Sequence, residues 1–170
     1  MALTVLEDKL HEYLADVHAM EKGVLRQLDA LIAIAQDEDM RALLRRHRSQ
    51  TQEQIARLER LIEAHGEDVP AMKAVGSQFA AVLRSLGDMV RKDKPANIAR
   101  DAYITEHVEI AAYEMLERLA LAAGDPNTAW VAKQNRTEEE GMAGSVATQW
   151  DRALEHVLAE EGVLSQARRR

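Results

Sequence analysis

The chain contains no cysteine, which excludes disulfides, thiolate zinc sites and cysteine nucleophiles. Among 170 residues there are only eight glycines, three prolines and one phenylalanine, and aromatics make up 4%. Sheet-forming residues are scarce, whereas Ala, Leu, Glu, Arg and Gln are abundant, so the composition predicts an all-α fold. No apolar run approaches the ~18 residues of a membrane span. The opening MALTVLEDKL is acidic, unlike the basic start of a secretory leader. Positive charge is not in excess either. The net charge of −7 is the wrong sign for a protein that neutralises phosphates, so no nucleic-acid partner is expected. A cytoplasmic protein without membrane contact follows as an expectation. No glycine-rich phosphate loop or serine–histidine–aspartate cue is present, and no catalytic residue is assigned. The apolar fraction of 46% suffices for one core at this length.

The prolines at 70, 95 and 126 fall where helical periodicity lapses. A first helix is expected over 4–35, opened by a Thr4–Glu7 capping box. A second, capped by Asp37 or Asp39, ends at Gly66, which can take the left-handed closing conformation. A shorter amphipathic segment over 71–91 follows, with Phe79, Leu83 and Leu86 on its apolar face. A third helix spans 96–123. Gly124, Asp125 and Pro126 then read as closing glycine, cap and first-turn proline, starting a fourth helix over 127–161. Two antiparallel hairpins joined by a long crossover containing a short helix is the topology of ferritin-like four-helix bundles. The expected organisation is one such domain over 1–165 and a basic tail over 166–170.

Each buried stripe carries polar residues near its middle. The first runs Leu10, Leu14, Val17, Glu21, Val24, Leu28. The second runs Leu43, Leu44, His47, Gln50, Thr51, Gln54, Leu58. The third holds Glu106 and Glu109 one turn apart between Ala102 and Ala112. The fourth reads Trp130, Thr137, Glu140, Gly144, Ala147, which turns Glu140 inward. In an antiparallel bundle these interruptions meet at one level. Unpaired buried carboxylates cost several kcal/mol each. They are therefore protonated, share cations, or surround a metal. Tyr113, one turn past Glu109, needs a buried partner for its hydroxyl, and a carboxylate of the cluster could serve. His18, one turn before Glu21, could orient that carboxylate. His107 points about 100° away from the glutamates. His11, His65 and His156 read as solvent-facing, Met20 and Met115 as core fillers, and Trp130 and Trp150 as packing residues.

The stretch Glu106-His107-Val108-Glu109-Ile110-Ala111-Ala112-Tyr113 resembles the signature of the YciE/YciF family of ferritin-like proteins. Supporting similarities are Ala19-Met20-Glu21-Lys22, His47 with Thr51 and the run from Gln54 to Glu59, and Thr137-Glu138-Glu139-Glu140. The resemblance covers about 5–160. It implies a stress-associated bundle with a metal site built from Glu21, His47, Gln50, Glu106, Glu109 and Glu140, holding iron or manganese. Two positions depart from the family pattern: Gln50 stands where glutamate is favoured, and Gly144 lies near where an acid is favoured. Two functions from different classes follow. One is a di-iron or di-manganese redox protein acting on iron, oxygen or peroxide. The other is a non-catalytic structural or interaction protein with a degenerate metal site. A homodimer is expected under both.

Overall fold

The computed structural model describes residues 2–66 and 95–160. It contains α1 (Ala2–Ile34), α2 (Glu38–Ala64), α3 (Pro95–Ala123), α4 (Pro126–Ala147) and α5 (Trp150–Glu160). The expected helix over 71–91 and the tail 166–170 lie outside the described residues.

Short connections make the hairpins. Asp37 caps α2 by accepting the Met40 N–H at 2.8 Å. At the α3–α4 corner Gly124 adopts φ +78, the left-handed conformation that favours glycine. Asp125 then accepts the N–H groups of Asn127 and Thr128 at 3.1 and 3.0 Å, with Pro126 in the first turn. Gly66, at φ +76, closes α2 in the same way. α1 starts at Ala2, upstream of the cap expected at Thr4.

Side-chain pairings set the order of the bundle. Gln27 bonds Thr105 and Tyr113 bonds Glu21, so α1 and α3 run antiparallel. Arg57 bonds Glu138 near one end of α2, and Arg152 of α5 holds Asp37 near the other, so α2 and α4 are antiparallel too. Each helix therefore has two antiparallel neighbours, in the cyclic order α1, α2, α4, α3. The end of α2 and the start of α3 consequently lie at opposite ends of the bundle. This is the ferritin-like arrangement of two hairpins.

The interior is aliphatic. Leu10, Leu14, Val17, Val24, Leu28 and Leu31 of α1 pack on Leu44, Leu58 and Ile62 of α2 and on Ala102, Ala112 and Leu116 of α3. Each such leucine or valine stabilises the fold by roughly 1.5–3 kcal/mol when taken from water.

The fourth helix departs from expectation. It breaks after Ala147, and a separate α5 follows. Thr148 N–H and Gln149 N–H bond to Ser145 O and Val146 O, three residues back, and the Thr148 hydroxyl donates to Ser145 O at 2.7 Å. Hydroxyl side chains that compete for backbone carbonyls loosen a helix whose Gly141 and Gly144 already weaken it. The bend lets α5 dock, with Ala153 buried and Arg152 and His156 on Asp37.

The inward face of α4 is also rotated by one position. The buried residues are Thr128, Ala129, Val131, Ala132, Asn135, Glu139, Met142, Ala143 and Val146. Trp130 is 63% exposed and Glu140 is exposed. Met115 is exposed rather than packed, Trp150 is partly exposed but its ring meets Tyr103 edge-on at 5.5 Å, and Met20 is fully buried.

Candidate metal centre

The polar interruptions do meet at one level. His47 of α2, Glu106 and Glu109 of α3 and Glu139 of α4 are all buried, and each offers one ligand atom within 4.8 Å of the others. His47 Nε2 lies 3.2 Å from Glu106 Oε2 and 3.4 Å from Glu139 Oε2. The i,i+3 spacing of Glu106 and Glu109 places both on the inner face of α3. Glu21 of α1, also fully buried, joins them from the fourth side.

Half of the cluster is pinned by donors. The Tyr113 hydroxyl donates to Glu21 Oε1 at 2.5 Å and accepts from Asn135 Nδ2 at 2.9 Å. The Gln54 amide donates to Glu139 Oε1 and, at 3.1 Å, to Glu138 Oε2. The Thr51 hydroxyl returns to His47 O at 3.1 Å. What remains is unpartnered: Glu21 Oε2, both oxygens of Glu106, both of Glu109, Glu139 Oε2 and His47 Nε2 have no hydrogen-bond partner. Buried polar atoms are nearly always satisfied, so a convergent set of orphans calls for a missing partner.

Electrostatics agree. Burial, reinforced by the charge of Glu139 and opposed by Tyr113 and His47, pushes Glu21 up to about 8. Burial likewise raises Glu106 to about 8, which the neighbouring Glu139 carboxyl partly offsets and the charge of Glu21 reinforces. Glu109 is raised well above the carboxylate range by burial and then by Glu21, Glu139 and Glu106. Glu139 is raised by burial, which the neighbouring His47 partly offsets. Without a cation the carboxyls hold protons; a cation would displace them.

The donor set fits a metal. Carboxylate oxygens with one imidazole are ligands that a metal ion takes, and the orphaned atoms lie on the residues of this cluster.

Of the six residues expected as ligands, the structure brings together Glu21, His47, Glu106 and Glu109. Glu140 is not among them. It lies on the exposed side of α4, 3.6 Å from Arg136 Nε, and Glu139 occupies the inward place. The reason is register: α4 has few large apolar residues, and exposed Trp130 was a misleading anchor for its stripe. The line Val131, Asn135, Glu139, Met142, Val146 carried the correct phase at i,i+3 and i,i+4 spacing. Gln50 is half-buried, with Oε1 3.4 Å from His47 Nδ1, so it faces the nitrogen turned away from the cluster. His18 does not orient Glu21. Its Nε2 lies 3.2 Å from Glu59 Oε1, because the i,i+3 offset turns it toward α2. Tyr113 does meet a cluster carboxylate. Gly144 is exposed, away from the cluster. His65 is part-buried and bonds Asp125 Oδ2 at 2.9 Å rather than facing solvent. Gln54 and Asn135 complete the site; Gln54 stood on the expected stripe, and Asn135 had no sequence signal beyond the line just named.

Residues 5–159 match the family described as a domain of unknown function, DUF892. Protein YciF of Escherichia coli is 26% identical over 146 residues, which cover 82% of this chain and 86% of YciF. The crystal structure of the E. coli stress protein YciF matches with a TM-score of 0.75 at 24% identity, covering 89% of this chain and 96% of that one. A Xanthomonas campestris protein matches with a TM-score of 0.76 at 22% identity, covering 92% and 97%. These structural likenesses show the bundle fold. No helix among the described residues is long and apolar enough to cross a membrane.

Proposed function

This chain belongs to the DUF892 family, and from that premise we propose that it is a metal-binding ferritin-like protein that holds two iron or manganese ions and acts on iron, oxygen or peroxide. The observation that carries this reading is the set of orphaned oxygens on Glu21, Glu106, Glu109 and Glu139 around His47 Nε2. Bound ions of this kind supply one-electron oxidation and reduction, which no side chain of the cluster offers.

The residues divide the remaining work. Glu106 and Glu109 present four free oxygens from adjacent turns of α3 and would hold the ions from that side. Tyr113 and Gln54 each fix one oxygen of Glu21 and Glu139 and leave the other directed at the centre. His47 turns Nε2 inward while Gln50 Oε1 is placed to accept a hydrogen bond from Nδ1–H. Val17, Met20, Val24, Ala112 and Leu116 keep water from the flanks.

The test is metal content of protein purified without a histidine tag, followed by melting with added Mn(II) or Fe(II) under reducing conditions. Bound metal and a raised melting temperature are expected in the native protein, with the rise lost in Glu109→Ala. No metal and no shift would overturn the reading and leave a structural bundle whose carboxyls stay protonated. A homodimer belongs to the same proposal. Exposed Ile104 and Met115, three turns apart on one outer side of α3, are the observation favouring it, and sedimentation velocity is the check.

A further inference from the structure

Most seams around the centre are clasped by side chains. Gln27–Thr105 and Tyr113–Glu21 join α1 to α3. His18–Glu59 and Asp29–Arg48 join α1 to α2. Tyr113–Asn135 and Arg136–Glu117 join α3 to α4. The seam between α2 and α4 is different. It is clasped at one edge of the centre, where Gln54 holds Glu138 and Glu139 and Arg57 holds Glu138, and at the far end, where Arg152 of α5 holds Asp37 and Asp39. Between these clasps the two helices stand apart, and a cleft of about 580 Å³ opens to solvent.

The walls of this cleft mix small or polar residues, among them Ser49, Gly141 and Ser145, with Leu43, Met142 and the cationic Arg46. Gly141 is helical, and a Cβ built on it meets nothing within 4 Å. The backbone of α4 at Gly141 therefore borders open space, with room for a larger side chain. His47 also lines the cleft. It alone among the lining residues belongs to the buried donor cluster, so the cleft ends on the imidazole.

We propose that the α2–α4 cleft, lined by Gly141 and ending at His47, is the route by which divalent cations and small polar molecules exchange with the buried carboxylates. The proposal rests on the metal-binding reading above for its physiological cargo, but not for the existence of the passage. His47, whose side chain is only 1% exposed, bars the end of the cleft to a bulky organic substrate.

The experiment plugs the cleft with Gly141→Phe and with the double change Gly141→Phe plus Ser145→Phe. A Cβ at Gly141 meets no neighbour, and removing a helix-interior glycine favours α4; the change at Ser145 gives up its hydroxyl bond to Gly141 O. Ala111→Phe on the exposed side of α3 is the control. Two readouts are followed. Stopped-flow uptake and chelator-driven release of Co(II) report exchange. Modification of His47 by diethyl pyrocarbonate in metal-free protein, read by peptide mass spectrometry, reports access without metal. A route that is narrowed should slow uptake and release together by on the order of tenfold, with unchanged equilibrium affinity and with His47 shielded. The control should change neither. Unaltered exchange and unaltered His47 modification in a folded double variant would overturn the route. Should the native protein bind no Co(II) while the plug still shields His47, the passage stands and the metal-binding reading falls.

Discussion

Replacing Glu106 with glutamine tests the electrostatic logic of the centre, because the change should stabilise one state and cripple another. In metal-free protein, burial raises Glu106 from 4.5 to about 8. A folded pKa above the unfolded value favours the native state fully below pH 4.5, and the favour disappears as pH rises through 8. At pH 5 the group has lost under about 1 kcal/mol of that favour, and at pH 7 about 3 kcal/mol. Glutamine keeps nearly the same shape and does not titrate. Metal-free Glu106→Gln should therefore melt close to the native protein at pH 5 and roughly 10 °C above it at pH 7. With Mn(II) or Fe(II) the order should reverse, since the variant loses one anionic ligand. Differential scanning calorimetry at several pH values, with chelator and with metal, checks both halves. A metal-free variant that melts lower than the native protein at pH 7, or an offset that ignores pH, would show that Glu106 is already paired as an anion and refute the argument.

Three further outcomes are expected. Glu139→Ala should abolish the metal-induced rise in melting temperature while Glu140→Ala leaves it intact, because Glu139 is fully buried in the cluster and Glu140 is exposed. Asp37→Ala removes the α2 cap and the partner of Arg152 and His156, so thermal denaturation should come about 5 °C earlier. Burial raises Asp37, but the Met40 N–H, His156 and Arg152 together hold it below its ordinary 3.8. Its contribution is therefore present above pH 3.8 and lost as pH falls through the lower folded value, and acid titration of the variant should show a shallower decline there. Tyr113→Phe strands the Asn135 amide and frees Glu21 Oε1, and urea denaturation should show a loss of about 2 kcal/mol.

The first three helices were legible because large apolar residues mark their inner faces. Leu10, Leu14, Val17, Val24 and Leu28 leave one phase for α1, and Glu21 falls inside it. Glu106 and Glu109 lie between Ala102 and Ala112 in the same way. α4 gives a weaker guide. Apart from Met142 and Glu139 its inner face is built of alanine, threonine, valine and asparagine, so three consecutive glutamates, Glu138 to Glu140, are poorly separated by pattern. Packing separates them: Glu138 pairs with Arg57, Glu139 turns to the centre and Glu140 reaches Arg136. The break at Thr148 was hidden for a related reason, since the apolar period continues across it in sequence while the hydroxyl groups capture carbonyls in space.

Helix content, the hairpin corners at Asp37 and at Gly124–Pro126, and the presence of inward carboxylates on α1 and α3 are local properties, determined by backbone preferences, capping groups and the 3.6-residue period. The identity of the fourth carboxylate, the oxygens left without donors and the opening between α2 and α4 are not local. Each depends on which helix faces which across the bundle, and a rotation of about 100° on a weakly amphipathic helix exchanges one glutamate for its neighbour.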